Sequence, residues 1–248
     1  MNDRGACFLH GISDGSDHDR HDWTAPCVAE LTRWGRGFDE GWSPDTREIY
    51  YASLMQDLAG PLGKLGAVGD YASDLKTYSS PTNREKILDH IEAQILAAGR
   101  GRVLIAHSLG SVAAFDLCCA WLCAGEFQKP REQWPCSSLV TLGSPLGLPP
   151  APGPLDEWLN RGEAAALMPC AFPAEFRWLN FADKDDVVVT GAKLGVVPNF
   201  EDIEGYKYIA PGLSQRPSVD TGGRFTSHVG YWVDPEVISA IHLLMRGA

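Results

Sequence analysis

The sequence predicts a three-layer α/β/α sandwich on a mostly parallel central sheet, and three observations predict it. Its short apolar runs are continuous rather than alternating, which suits strands covered on both faces. Helical patterns separate those runs, as strand-helix-strand units require. The chain has 248 residues, 44% of them apolar, with no internal repeat, low-complexity tail or long linker, so residues 1–248 are expected to form one domain around one large core.

In chain order, the expected strands are Ala6–Leu9, Glu48–Tyr51, Val103–Ala106, Leu139–Leu142 and Arg177–Phe181. The sheet is expected to begin directly at Ala6, without an antiparallel hairpin before it. Thr82-Asn83-Arg84-Glu85 fits a capping box with Thr82 as N-cap. Ile87, Leu88, Ile91 and Ile95 then make one stripe, and Gly99 can close that helix in a left-handed cap. Gly110–Cys123 is apolar on nearly every side and should be the most buried helix. Asp234-Pro235-Glu236 reads as N-cap, N1 and N2 of a last helix, with Ile238, Ile241 and Met245 facing inward. The Gly- and Pro-rich stretch 193–220 carries no readable pattern.

The formal charge of −11 argues against a chain that grips nucleic acid or an anionic membrane, since both need clustered Lys and Arg. No run of about 20 apolar residues exists, so no transmembrane helix is expected. The short lead Met1–Gly5 does not resemble a signal peptide. Seven Cys, an odd number without CxxC spacing, read as reduced core thiols, Cys118, Cys119 and Cys123 on one helix among them. Both features predict a cytoplasmic protein.

Ligands of such sheets bind at the carboxyl ends of the strands. Two nucleotide motifs fail there: Leu9 is followed by His10-Gly11-Ile12-Ser13-Asp14-Gly15 rather than GxGxxG, and Gly63-Lys64 is followed by Leu65 rather than Ser or Thr. The strongest signal is Val103-Leu104-Ile105-Ala106-His107-Ser108-Leu109-Gly110. It runs from apolar strand through one sharp turn into apolar helix, with small residues two before and two after Ser108, as a nucleophile elbow demands. Serine needs a base and an orienting acid, which in this architecture follow it in the order acid, histidine. Of the later histidines, His242 lies mid-helix, while His228 lies in a turn-like stretch just before that helix. The acid should follow the strand Arg177–Phe181, where Asp183-Lys184-Asp185-Asp186-Val187-Val188 offers three carboxylates and spacing leaves Asp185 and Asp186 both open. The backbone N–H groups of Leu109 and Ile12 would form the oxyanion hole, and His10 reads as a packing and hydrogen-bonding residue.

With these residues together, the chain resembles the α/β-hydrolase superfamily, in its lipase and GPI inositol-deacylase-like branch. The matching pieces are Leu9-His10-Gly11, Ala106-His107-Ser108-Leu109-Gly110, Thr141-Leu142-Gly143-Ser144-Pro145-Leu146-Gly147, Trp178-Leu179-Asn180-Phe181-Ala182-Asp183 with Asp186-Val187-Val188, and Ser227-His228-Val229-Gly230-Tyr231. The resemblance implies an α/β-hydrolase fold with a minimal N-terminus. It also implies a serine hydrolase that cleaves carboxylic esters through Ser108, His228 and Asp186, with Asp183 shaping the acid's loop. It implies no cofactor. The alternatives are a thioesterase or acyltransferase using the same triad, and a non-catalytic binding protein of this fold.

Asp14, Asp17, His18, Asp19, His21 and Asp22 could suggest a metal site, but their register lacks the later Gly and bidentate Glu of a calcium loop, and no metal is expected. Segments 54–80 and 147–170, apolar or proline-rich, could cap the site. Covers of that kind favour a small-molecule ester with an apolar acyl or aromatic group.

Overall fold

The computed structural model describes residues 4–11, 24–59, 74–123, 129–147, 172–189, 210, 212–216, 219–222 and 227–247. Six strands, β1 (Gly5–Leu9), β2 (Thr46–Ile49), β3 (Arg102–His107), β4 (Cys136–Leu142), β5 (Arg177–Phe181) and β6 (Leu213–Arg216), form one sheet in the order β2-β1-β3-β4-β5-β6. Every neighbouring pair is parallel. The main described helices are α1 (Ala25–Arg36), α2 (Ala52–Ala59), α3 (Pro81–Ala97), α4 (Leu109–Leu122), the single turn α5 (Ser227–Gly230) and α6 (Pro235–Met245).

Both faces of the sheet are covered, which is why the strands read as continuous apolar runs. Successive side chains of a strand point to opposite faces. Cys7, Leu9, Leu104 and Ala106 accordingly join a cluster with Ile87, Ile91 and Phe115 from α3 and α4. Ala6, Phe8, Val103 and Ile105 join a second cluster with Leu31 of α1 and Ile238 and Ile241 of α6. Each such fully buried Leu, Ile or Phe contributes about 1.5–3 kcal/mol. This is the three-layer arrangement expected from the sequence, with the strand order and the strand-turn-helix after β3 that characterise an α/β-hydrolase fold. Within α4 every residue except Ala120 is buried, in keeping with its all-round apolar sequence.

Several element boundaries differ from the sequence reading. Strand β2 lies two residues earlier than Glu48–Tyr51, because the Gln94 side chain on α3 takes over the main chain of Tyr50: Tyr50 N–H donates to Gln94 Oε1 at 3.1 Å and Gln94 Nε2 donates to Tyr50 O at 2.9 Å. The capping box at Thr82 is not formed. Ser80 is the N-cap of α3 and Pro81 opens the helix, its fixed φ and missing N–H suiting the first position. At the other end Gly99 has φ +82°, the left-handed closure that its position suggested. Helix α6 begins as expected, with Asp234 accepting from the N–H groups of Glu236 and Val237 at 2.8 and 3.1 Å. Helix α1 and strand β6 were not anticipated. The first turns only Cys27, Leu31 and Gly35 to the core, and the second, Leu213-Ser214-Gln215-Arg216, is a half-exposed edge.

Of the two proposed cover segments, residues 60–73 and 148–170 lie outside the described residues, whereas Met55 and Tyr78 are buried in the core with residues of α3 and α4. The acidic cluster from Asp14 to Asp22 also lies outside the described residues. Six cysteines, Cys7, Cys27, Cys118, Cys119, Cys123 and Cys136, are buried. Burial pushes the Cys7 thiol up to about 11 and the Cys27 thiol up to about 12. Among the described residues, no helix is long and apolar enough to cross a membrane.

Candidate active site

After β1 the chain runs out to β2 and returns to lay β3 on the other side of β1. The carboxyl ends of β1 and β3 therefore flank a topological switch point, the place where sheets of this kind bind their ligands. Gly11 leaves β1 there and Ser108 leaves β3. Ser108 is fully buried and takes φ +53° and ψ −130°, and it is the one non-glycine residue with positive φ among those described. Such a backbone is costly and persists only where surrounding contacts enforce it. Here Ser108 N–H donates to Leu142 O at 3.0 Å, and Ser108 O accepts from Ser111 N–H at 2.9 Å and Ser111 Oγ at 2.5 Å. The Ser111 hydroxyl lies 2.7 Å from that of Ser144, which links the elbow to the turn after β4.

Two glycines admit this geometry. A Cβ on Gly110 would run into the carbonyls of His10 and Leu9, and one on Gly11 would sit 2.5 Å from Ser108 Cβ and 2.9 Å from His107 O. The Gly11 carbonyl is held by His10 Nδ1 at 2.6 Å and by the buried Tyr51 hydroxyl, which donates at 3.3 Å. Leu109 N–H stands at the start of α4, where helix N–H groups lack intrahelical partners. Ile12, the other expected oxyanion donor, lies outside the described residues.

The structure brings Ser108, His228 and Asp186 together. His228 Nε2 is 2.9 Å from Ser108 Oγ, and His228 Nδ1 is 2.9 and 3.0 Å from the two carboxylate oxygens of Asp186. Asp186 has no exposed surface and also accepts from Tyr231 OH at 2.9 Å and Val188 N–H at 2.9 Å. With both carboxylate oxygens on Nδ1, that nitrogen carries the proton and Nε2 offers its lone pair to the serine.

The neighbouring carboxylates do other things. Asp183 is buried and accepts from Asp185 N–H, Thr221 N–H and Thr221 Oγ1, each at 2.8 Å, so it ties the Asp186 loop to the approach to α5. Asp185 pairs with Lys184 at 2.6 Å on the surface. His10 holds the Gly11 carbonyl, and His242 lies in the core against Phe38 and Trp42.

Sequence reasoning missed four neighbours. Tyr231 OH accepts from Asp183 N–H at 2.8 Å while donating to Asp186, and burial and that carboxylate push its pKa well above that of an ordinary phenol, which keeps it protonated. Gly143, with φ +56°, leaves a gap in which a Cβ would come 2.7 Å from Asp186 Oδ2, 2.9 Å from Tyr231 and 3.1 Å from His228 Nδ1. Tyr51 steadies the Gly11 peptide, as described. His107, the residue before the serine, is buried, and its Nε2 donates to the carbonyl of His228 at 2.5 Å. Burial and the nearby His228 lower its basicity well below that of an ordinary histidine.

No protein-family model matches this chain, and no curated protein matches it. Among solved structures the chain is similar to a YdeN-like hydrolase from Pectobacterium atrosepticum, at 12% identity over 98% of this chain and 90% of that one, with a TM-score of 0.45. It is also similar to an acetylxylan esterase, at 13% identity over 100% and 99% with a TM-score of 0.42, and to a pyrethroid hydrolase, at 16% identity over 98% and 97% with a TM-score of 0.40.

Proposed function

We propose that the protein is a serine hydrolase of carboxylic esters. The observation that carries this reading is the unbroken hydrogen-bonded path from Asp186 through His228 to a serine on a strained strand-to-helix turn. A solvated loop or a helix cap needs neither the positive φ nor the buried carboxylate. Ser108 Oγ attacks the ester carbonyl while His228 Nε2 takes its proton. The imidazolium so formed is stabilised by Asp186, and the tetrahedral oxyanion is met by the N–H groups of Leu109 and Ile12. His228 then returns the proton to the departing alcohol, leaving an acyl-enzyme. Water, deprotonated by the same histidine, releases the acid.

The exposed side chains of Val187 and Val229, next to the acid and the base, support a substrate with an apolar acyl or aromatic group. The six buried cysteines fit a reducing, cytoplasmic setting. The motif resemblance supports the lipase and GPI inositol-deacylase-like branch. A fluorophosphonate probe tests the chemistry: labelling confined to Ser108 and lost in Ser108→Ala supports it, and labelling elsewhere overturns it. A panel of acyl esters and thioesters of graded length, with and without an alcohol acceptor, then separates an esterase from a thioesterase or an acyltransferase. A chain that binds these esters but turns over none would be the non-catalytic alternative.

A further inference from the structure

The proposed base reaches the serine from a segment far along the chain, so something must hold that segment against the elbow. On the His228 side the imidazole is tied to Asp186 through Nδ1, and Thr221 Oγ1 donates to the carbonyl of Ser227 at 2.7 Å, but neither bond touches the main chain of His228 itself. The main chain is held from the elbow itself. His107 Nε2 lies 2.5 Å from the carbonyl oxygen of His228, and the two rings stand 4.6 Å apart with planes inclined at 40°. A carbonyl only accepts, so the proton is on Nε2 of His107. The His107 ring is enclosed by Tyr231 and Trp232, with centroids at 6.2 and 5.4 Å, which restricts it to this orientation. Covalently, His107 precedes Ser108, so one dipeptide carries both the nucleophile and the group that grips the backbone of its base.

We propose that His107 is a positioning residue that latches the His228 loop to the nucleophile elbow through its Nε2–H, keeping His228 Nε2 within reach of Ser108. The inference rests on the reading of His228 as the base. Its effect belongs to the chemical step, because the latch touches no substrate: a base displaced by about 1 Å loses on the order of a hundredfold in rate. The surroundings of His107 also suit the task. It faces His228 and, more distantly, His10, and any positive charge on it would oppose the imidazolium that turnover creates on His228. A donor that stays neutral holds the loop without that penalty.

The test compares His107→Phe, which keeps a ring but removes the donor, with His107→Gln, whose amide nitrogen occupies nearly the position of the lost Nε2. Kinetics are measured on an ester that the wild-type protein hydrolyses, beside Ser108→Ala and His228→Ala. The expected result is a roughly 30- to 100-fold fall in kcat for His107→Phe with KM within about twofold, and recovery to within about tenfold of wild type for His107→Gln. A kcat for His107→Phe equal to wild type, or a Gln variant as slow as the Phe variant, overturns the latch. Retained activity in His228→Ala would instead overturn the underlying reading. If His107→Phe does not fold, His107→Gln against His107→Asn makes the same comparison, since the shorter amide falls short of the His228 carbonyl. The latch requires Asn to be the slower, and equal rates refute it.

Discussion

Ser108 and His228 meet at 2.9 Å, yet they are held there by different means. Ser108 is fully buried and its place is set by main chain, through the bonds to Leu142 and Ser111, the positive φ and the two glycines that let β1 and α4 approach. His228 is partly exposed and sits on a single helical turn. Its place is set by side chains: Asp186 on its ring, His107 on its carbonyl, and, behind Asp186, Tyr231 and the Asp183–Thr221 bonds. On the proposed mechanism, damage to the elbow should therefore destabilise the protein or abolish chemistry, whereas damage to the supports of His228 should lower turnover in steps.

The largest effects test the three residues that meet. Ser108→Ala is expected to reduce ester turnover by roughly 10⁵- to 10⁶-fold with an unchanged melting temperature, measured by steady-state kinetics and thermal unfolding. Asp186→Asn should cost on the order of 10⁴, because the amide presents a donor to His228 Nδ1 and favours the wrong tautomer. Asp185→Asn should stay within a fewfold of wild type, and an inversion of that order would move the acid's role to Asp185.

Asp183→Asn and Gly110→Ala probe the supports. Asp183 has three donors converging on its two oxygens, so an amide would set N–H against N–H and cost about 1–3 kcal/mol in urea unfolding, with a smaller loss of turnover than Asp186→Asn. Gly110→Ala pushes a methyl into the His10 carbonyl and should cost about 1–3 kcal/mol. Tyr231→Phe is expected to lower kcat by roughly tenfold, since Asp186 loses one of its donors and Asp183 N–H is left unpaired.

The smallest expected effect is a pH dependence of stability. The folded protein holds His107 neutral while the unfolded chain protonates it below the ordinary histidine value, so the unfolded state binds more protons there and stability falls as pH drops below about 6.5. One such group contributes a slope of at most roughly 1.4 kcal/mol per pH unit. Urea midpoints between pH 7 and pH 5 should flatten in His107→Gln. An unchanged slope would show that His107 is not its source.

The parts of the fold legible in the sequence are those that physics makes conspicuous in one dimension. Buried parallel strands such as β3 and the fully apolar helix α4 announce themselves by composition. Edge strand β6 does not, because an edge buries little and its four residues are mostly polar. Helix α3 betrayed its stripe but not its start, since Ser80-Pro81 and the Thr82 motif compete and only packing decides. In the site, Ser108 and His228 could be proposed from their order along the chain, whereas spacing left Asp185 and Asp186 both open and only the motif resemblance favoured Asp186. His107 and Tyr231 could not be proposed, because their work depends on which carbonyl or carboxylate another loop brings to them.

The separation of 120 positions between Ser108 and His228 has a consequence for biosynthesis. The ribosome delivers β1, β3 and the elbow early, but on the proposed chemistry no proton acceptor for Ser108 exists until residues beyond 227 have emerged. Helix α6 must also dock, where Arg4 N–H donates to Met245 O at 2.7 Å and joins the first strand to the last helix. A nascent chain, or one clipped ahead of α5, would therefore carry its serine as an inert residue, and hydrolytic activity would report that α5 has been made and is in place.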